Sequence, residues 1–373
     1  MRRRLKITLT ACCCLIVFAV FAVYVYIHPG RGPRLDVDAD QDAYLEEIDG
    51  TIVLHLKGTP YEMGYQHGFL ARDRVSDAMA LFDGLLGLAR KETGMPRAAV
   101  EFVLDWVYAG CAPHIPERHR RELEGLADGA GVDLQMLRRF HVLSVLSERD
   151  CSVFAVFGKA TGNGHVFHGR NFDWNMSLGL QDNAALILYK PEGMVPFASA
   201  GYLGTVGILS GMNMEGIAVG QVGAINTDGR HRGIPLMFLL RRILEEAHDV
   251  DDATRIIQNA RRTVGYNYLV ADGDAAEARA YETSAHYCAV FTDNDPKEAL
   301  VEYAIPIDDA VFRADTAMDQ NVRRHQRCAK GYPNMPYGSQ SYDGRYKPMA
   351  TMIREGYGAI DQAAALAIVK AVA

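Results

Sequence analysis

The 373 residues hold no Cys-x-x-Cys pair, no phosphate-binding Gly-x-x-x-x-Gly-Lys-Ser/Thr loop, no internal repeat and no low-complexity block. These absences exclude zinc-ribbon, thioredoxin-like and P-loop chemistry and a solenoid architecture. Cysteine is scarce where it matters. Of seven, Cys12, Cys13 and Cys14 sit in an apolar run, leaving Cys111, Cys151, Cys288 and Cys328 at wide spacing. That is too few for a disulfide scaffold. If Cys151 is to remain a thiol, at most one bridge can form among the other three. Positive charge is also short: residues 1–34 take six of the 39 bases and none of the 46 acids, which leaves residues 35–373 at −13. A surface of that sign repels nucleic acid. The His/Cys pairs His114 with His119, His286 with Cys288 and His325 with Cys328 each lack an evident third ligand. No metal site and no cofactor are therefore expected. Asp36, Asp38, Asp40, Asp42 and Glu47 have the rhythm of a calcium loop, but Gln41 stands where its glycine belongs, so a solvated tether is expected.

What is present begins with Arg2, Arg3, Arg4 and Lys6, followed by an uncharged apolar run from Ile7 to Ile27. Twenty-one residues at about 1.5 Å each match the roughly 30 Å of a bilayer's hydrocarbon. With the basic flank inside, this reads as a signal anchor carrying an extracytoplasmic, periplasmic or extracellular domain, and a cleaved signal peptide is the alternative. The expected organisation is residues 1–34 as basic tip, anchor and tether, residues 35–150 as a mostly helical segment, and residues 151–373 as a strand-rich part. Apolar residues at three-to-four spacing predict helices through 60–148. Strands are predicted at Ile52–Leu56, Val153–Phe157, Val166–Trp174, Ala184–Tyr189, Phe197–Leu209, Ile217–Ile225, Tyr268–Ala271 and Ala278–Phe291. Helices return over 234–263 and, weakly, near 319–330 and 361–372. Blocks of helices and strands in this order predict an α+β layered domain.

Chemistry concentrates at Cys151 and at Gly169-Arg170-Asn171-Phe172-Asp173-Trp174. A turn at Thr161–Gly164 folds these stretches into a hairpin, so a thiol, a guanidinium and a carboxylate converge at one end. Arg170 favours a thiolate, and Asp173 suits the orientation of an amine. His165 falls at the turn and His168 on Arg170's face, and neither is an evident base. Cleavage of the Asp150–Cys151 bond would supply one. The freed α-amino group, with an ordinary pKa of about 7.7–8.0, can act as base for its own thiol.

Gly58-Thr59-Pro60-Tyr61-Glu62-Met63-Gly64-Tyr65-Gln66-His67-Gly68, Asp150-Cys151-Ser152 and GRNFDW, in this order, resemble the isopenicillin-N acyltransferase (acyl-CoA:6-aminopenicillanate acyltransferase) family of autoproteolytic cysteine peptidases. Gly211–Ile217 and Asn321–Cys328 extend the resemblance, which runs with gaps from about 52 to about 330. Related bile-salt hydrolases and acid-ceramidase-like amidases share GRN-x-D. The resemblance implies an N-terminal-nucleophile fold, a four-layer αββα sandwich, cut before Cys151, with residues 1–150 staying bound to the rest. It implies Cys151 as nucleophile and base, Asp173 as holder of the amine, and Arg170 beside the sulfur. An acyl-amide or acyl-thioester substrate would pass through an acyl-Cys151 intermediate, ending in hydrolysis or transfer. Two departures stand out. Asp315 falls where the family places an oxyanion-hole asparagine, with Asn321 and Asn267 as substitutes, and this keeps a catalytically impaired binding or scaffold protein in view. The chain also ends at Ala373, before the region of the family's last strands and, in several members, a further active-site arginine. That reads as a truncation or as a site short of one residue.

Overall fold

A computed structural model describes residues 43–146, 151–173, 179–224, 226–326 and 342–372. The apolar run 7–27, the acidic positions 36–42, Asp150, Trp174 and Cys328 lie outside the described residues. Among the described residues, no helix is long and apolar enough to cross a membrane.

The chain opens with a hairpin, β1 (Tyr44–Ile48) and β2 (Thr51–Gly58), and continues into helices α1 (Pro60–Leu70), α2 (Arg72–Thr93), α3 (Arg97–Cys111), α4 (Glu117–Ala130), α5 (Leu134–His141) and the short α6 (Leu143–Leu146). The start of α1 explains the opening motif. Thr59 and Glu62 form a reciprocal capping box, with Pro60 in the first turn where its missing N–H costs nothing. Gly64 and Gly68 then face Gly125 and Gly129 of α4. A Cβ on Gly64 would lie 2.1 Å from the Glu122 carbonyl oxygen, and one on Gly125 2.1 Å from that of Tyr61. The two backbones touch directly, and only hydrogen fits between them.

From Cys151 the chain turns to strands: β3 (Cys151–Gly158), β4 (Gly164–Phe172), β5 (Ala184–Pro191), β6 (Phe197–Tyr202), β7 (Gly211–Asn213) and β8 (Ile217–Gly223). Helices α7 (Leu236–Glu246) and α8 (Val250–Asn259) precede β9 (Tyr266–Asp272), β10 (Glu277–Thr283), β11 (Cys288–Phe291) and β12 (Ala310–Arg313). Short α9 (Gln320–Arg323), then α10 (Lys347–Glu355) and α11 (Gln362–Ala371), complete the described chain. Nine strands form one sheet in the order β1-β2-β5-β6-β7-β8-β9-β10-β11, antiparallel except where β2 runs parallel to β5. The other three form a small sheet, β12-β3-β4.

The fold is mixed α/β, as the segment order implies. α7 packs on β7 and β8, and α8 on β9. On the other face β3 packs on β8 and β9, while α11 covers β4 and α10 covers β12. One apolar core fills the space between the helices and the large sheet. A second lies around the small sheet and under α10 and α11. β3 is buried along almost its whole length because both of its faces are covered.

Two strand expectations are corrected. Phe197–Leu209 ends as a strand at Tyr202: Gly204 turns with φ +92° and Gly207 packs against Met237, so the apolar stretch after it is a wall-forming turn. Ala278–Phe291 is two strands, split where Ser284 and Tyr287 close a turn. The Asn213 turn is held as the sequence suggests. Its side chain accepts from the Glu215 and Ile217 amides and donates to the Leu244 and Ala247 carbonyls.

Candidate active site

The β3–β4 hairpin pairs Cys151 with Phe172 and Val153 with Arg170, so the thiol and the guanidinium meet at one end. Cys151 is fully buried, and Arg170 Nη2 stands 3.4 Å from its Sγ. The guanidinium is fixed by its other donors, with Nε giving to the Gln221 carbonyl at 3.0 Å and Nη1 to Ser210 Oγ at 3.3 Å, above the Phe172 ring. Burial pushes the Cys151 thiol up. Arg170 draws it back, Asp315 adds to the rise, and backbone hydrogen bonds from Asp173 and Gly223 lower it.

The carboxylates are arranged differently from expectation. Cys151 N donates to Asp315 Oδ1 at 3.1 Å. The Asp173 side chain instead takes a hydrogen bond from Asn171 Nδ2 at 2.5 Å and an ion pair from Arg345. Arg345 Nη1 also reaches Asp315 Oδ2 at 3.0 Å. Arg345 therefore bridges two carboxylates, and the one nearer the Cys151 nitrogen is Asp315. An aspartate in place of an asparagine here accepts from N–H donors on both oxygens. The expected donor position holds an acceptor. Arg345 is the residue that sequence reading missed. It lies in a single π-helical turn, Tyr342–Tyr346, with no motif around it, and only the fold brings it to the site.

The two substitute asparagines differ in their surroundings. Asn267 is buried, and its amide donates to the carbonyls of Ala314 (2.9 Å) and Thr316 (3.5 Å), which pins the backbone on both sides of Asp315. Asn321 is exposed on the four-residue α9. The Asp315 segment is braced further by Glu282, which accepts from the Met318 and Asp319 amides, and by Gln326, which donates to the Asp315 carbonyl. His168 packs against Gly220, with burial holding its ring down to about 4, and His165 is exposed at the turn. Among the described residues, no group of three His, Cys, Asp or Glu side chains could hold a metal ion, and Cys111, Cys151 and Cys288 are free thiols.

Two voids meet beside Arg170. A cleft of about 1120 Å³ is lined by Arg170, Ser210 and strands of both sheets. A smaller cavity of about 100 Å³ runs toward α2 and α5 between Leu81, Leu85, Phe140 and Met237. Phe172, Tyr202 and Leu209 line both.

The family model of acyl-coenzyme A:6-aminopenicillanic acid acyl-transferase matches residues 160–301, which include Arg170 and Asp173. Protein dcd1B of Dictyostelium discoideum is 29% identical over 262 residues, covering 65% of this chain and 52% of that protein. The acyl-coenzyme A:6-aminopenicillanic-acid-acyltransferase 40 kDa form of Emericella nidulans is 27% identical over 244 residues, 62% of this chain and 64% of that one. Acid ceramidase of Rattus norvegicus is 21% identical over 207 residues, 49% of this chain and 52% of that one. The chain thus spans between about half and two thirds of the length of these curated relatives. With the ordered motifs and these matches together, the chain is similar over residues 160–301 to the acyl-coenzyme A:6-aminopenicillanic acid acyl-transferase family and, more remotely, to acid ceramidase.

Proposed function

We propose that this chain is a self-processed cysteine amidohydrolase or acyltransferase that works through an acyl-Cys151 thioester. One observation carries the reading: a fully buried thiol lies 3.4 Å from a fixed guanidinium while the nitrogen of the same residue rests on a carboxylate. Thiol attack on the residue-150 carbonyl, then hydrolysis, cuts the chain before Cys151. The new amine takes the thiol proton in each later turnover, and Arg170 offsets negative charge on the sulfur or the substrate oxygen. The layering of helices, large sheet, small sheet and helices is, in this reading, the N-terminal-nucleophile sandwich. The apolar cavity beside Arg170 favours a lipid amidase, because a fatty acyl chain fills such a space better than a polar group. Residues 7–27 would hold the protein in a membrane with this domain outside the cytoplasm. Intact mass of the purified protein tests the reading. A fragment starting at Cys151 is expected from the wild type, and only full-length chain from Cys151→Ala. A Cys151→Ala protein cut at the same bond would exclude self-processing through this thiol.

A further inference from the structure

We infer that Asp315, rather than Asp173, is the carboxylate that holds the Cys151 nitrogen through cleavage and turnover, and that the Arg345 bridge sets the pH at which this nitrogen becomes a base. The inference rests on the self-processing reading above and adds to it the assignment of the second carboxylate and its counter-ion.

Asp315 is 2% exposed and its Oδ1 accepts from Cys151 N, while its Oδ2 is taken by Arg345. Asn267, Gln326 and Glu282 fix the backbone that carries it, so the carboxylate does not follow the nitrogen but receives it. In the first event the Cys151 sulfur bonds to the carbonyl carbon of residue 150 and the carbon–nitrogen bond breaks. The thiol proton passes to the nitrogen, and water then hydrolyses the thioester, restoring the thiol and leaving a carboxylate on residue 150. The nitrogen changes from a neutral amide to an ammonium at the place where Asp315 already accepts its N–H. An asparagine would keep that hydrogen bond but offer no charge, whereas an aspartate adds an ion pair. In turnover the amine must be neutral to take the thiol proton. An adjacent anion raises the amine pKa and an adjacent cation lowers it.

Other charged and titratable groups face this nitrogen and thiol. Arg170 and His168 come from β4, Asp173 follows its end, Tyr202 comes from β6, and Arg345 from the turn before α10. Glu282 of β10 and Arg313 of β12 pair with each other, and Arg313 pairs also with Glu298. Asp315 and Arg345 form a chain of direct contacts from the nitrogen to a counter-ion and onward to Asp173.

The signs for two variants are opposite. Asp315→Asn removes the anion, so the acidic limb of activity moves to lower pH by about one unit or more, and self-cleavage slows roughly tenfold. Arg345→Met removes the cation, so the limb moves to higher pH. Two readouts cover both: hydrolysis of decanoyl-4-nitroanilide across pH, and alkylation of Cys151 by iodoacetamide followed by the mass of the 151–373 fragment. Opposite shifts in the two variants, each with a cooperative melt, support the inference. Identical profiles for wild type and both variants overturn it while leaving the parent reading intact. If Asp315→Asn fails to fold, Arg345→Met decides alone, and the absence of an upward shift overturns the inference. A wild-type chain that stays uncut overturns both.

Discussion

Two buried charge networks sit on opposite faces of the large sheet, and their contrast separates support from chemistry. On the helix side, Arg241 gives a two-pronged bond to Glu122 at 2.6 and 2.8 Å and a third bond to Glu245 at 2.8 Å. Glu245 also accepts from Arg118 and meets His119, and Arg241 lies over the Tyr189 ring. Every charge there is answered by a neighbour from the same layer, and Arg241, Glu122 and Glu245 are at most 2% exposed. On the other side, Arg170, Cys151, Asp315, Arg345 and Asp173 also form a continuous chain, but it borders a cleft and includes a thiol. Arg345 and Asp173 remain partly exposed. The closed network holds α4 and α7 to the sheet; the open one is built of groups that can accept a new charge.

The strongest way to break this contrast is Arg241→Met. It leaves Glu122 and Glu245 buried without their main partner, so urea unfolding should show a loss of about 3–5 kcal/mol. Turnover per folded molecule should hold, and a selective loss of turnover at unchanged stability would erase the distinction.

A second, smaller effect is read by pH. His67 and His141 are fully buried on the helix side, where they accept from the Gly204 and Val206 amides. Burial holds them down to about 3 and about 4, against an ordinary value near 6.5. Between those values the unfolded chain binds protons that the folded chain does not, so stability falls as pH falls below about 6.5. At pH 5 relative to pH 7, His141 alone accounts for about 2 kcal/mol. Burial pushes Glu122 up to about 7 against the pull of Arg241, and its proton uptake on folding offsets part of the loss. Comparing wild type with His141→Phe isolates the residue: the pH 7-to-5 drop in unfolding free energy should shrink by that amount. An unchanged drop would show that His141 does not stay neutral.

The smallest stability effect belongs to Asp173→Asn. Its ion pair with Arg345 is partly solvated, so thermal unfolding should change by less than about 1 kcal/mol. Turnover should nonetheless fall on the order of 10²-fold, because Arg345 loses one of the two carboxylates that fix it. Near-normal turnover per folded molecule would remove GRNFDW from the active machinery.

The hairpin was legible because its code is local. Alternation, a Gly/Asn turn and a register counted from that turn bring Arg170 to Cys151. The opening motif was legible as a resemblance, and its physical content, a capping box and a glycine contact between α1 and α4, emerged only with the partner helix in place. Asp315 is legible as a position but its partners are not, since sequence cannot say which donors a carboxylate faces. Arg345 was illegible, because 172 residues separate it from Asp173 and its own turn carries no periodic signal. The partners of Asn267, the carbonyls of Ala314 and Thr316, are illegible for the same reason as Arg345, since they come from a distant segment of the chain.

The parallel pairing of β2 with β5 carries one more consequence. β2 lies before Cys151 and β5 after it, yet seven residue pairs from Ile52–Ala185 to Gly58–Pro191 join them in the same sheet. A break between residues 150 and 151 therefore leaves no seam at which the two pieces part, because the first piece supplies an edge of the second piece's sheet. The backbone can be nicked and the object stays whole, in the way a woven cloth survives a cut thread. It follows that 43–150 and 151–373, produced as separate chains, should find each other and co-elute as one particle, while the second chain alone would expose the naked flank of β5 and aggregate along it.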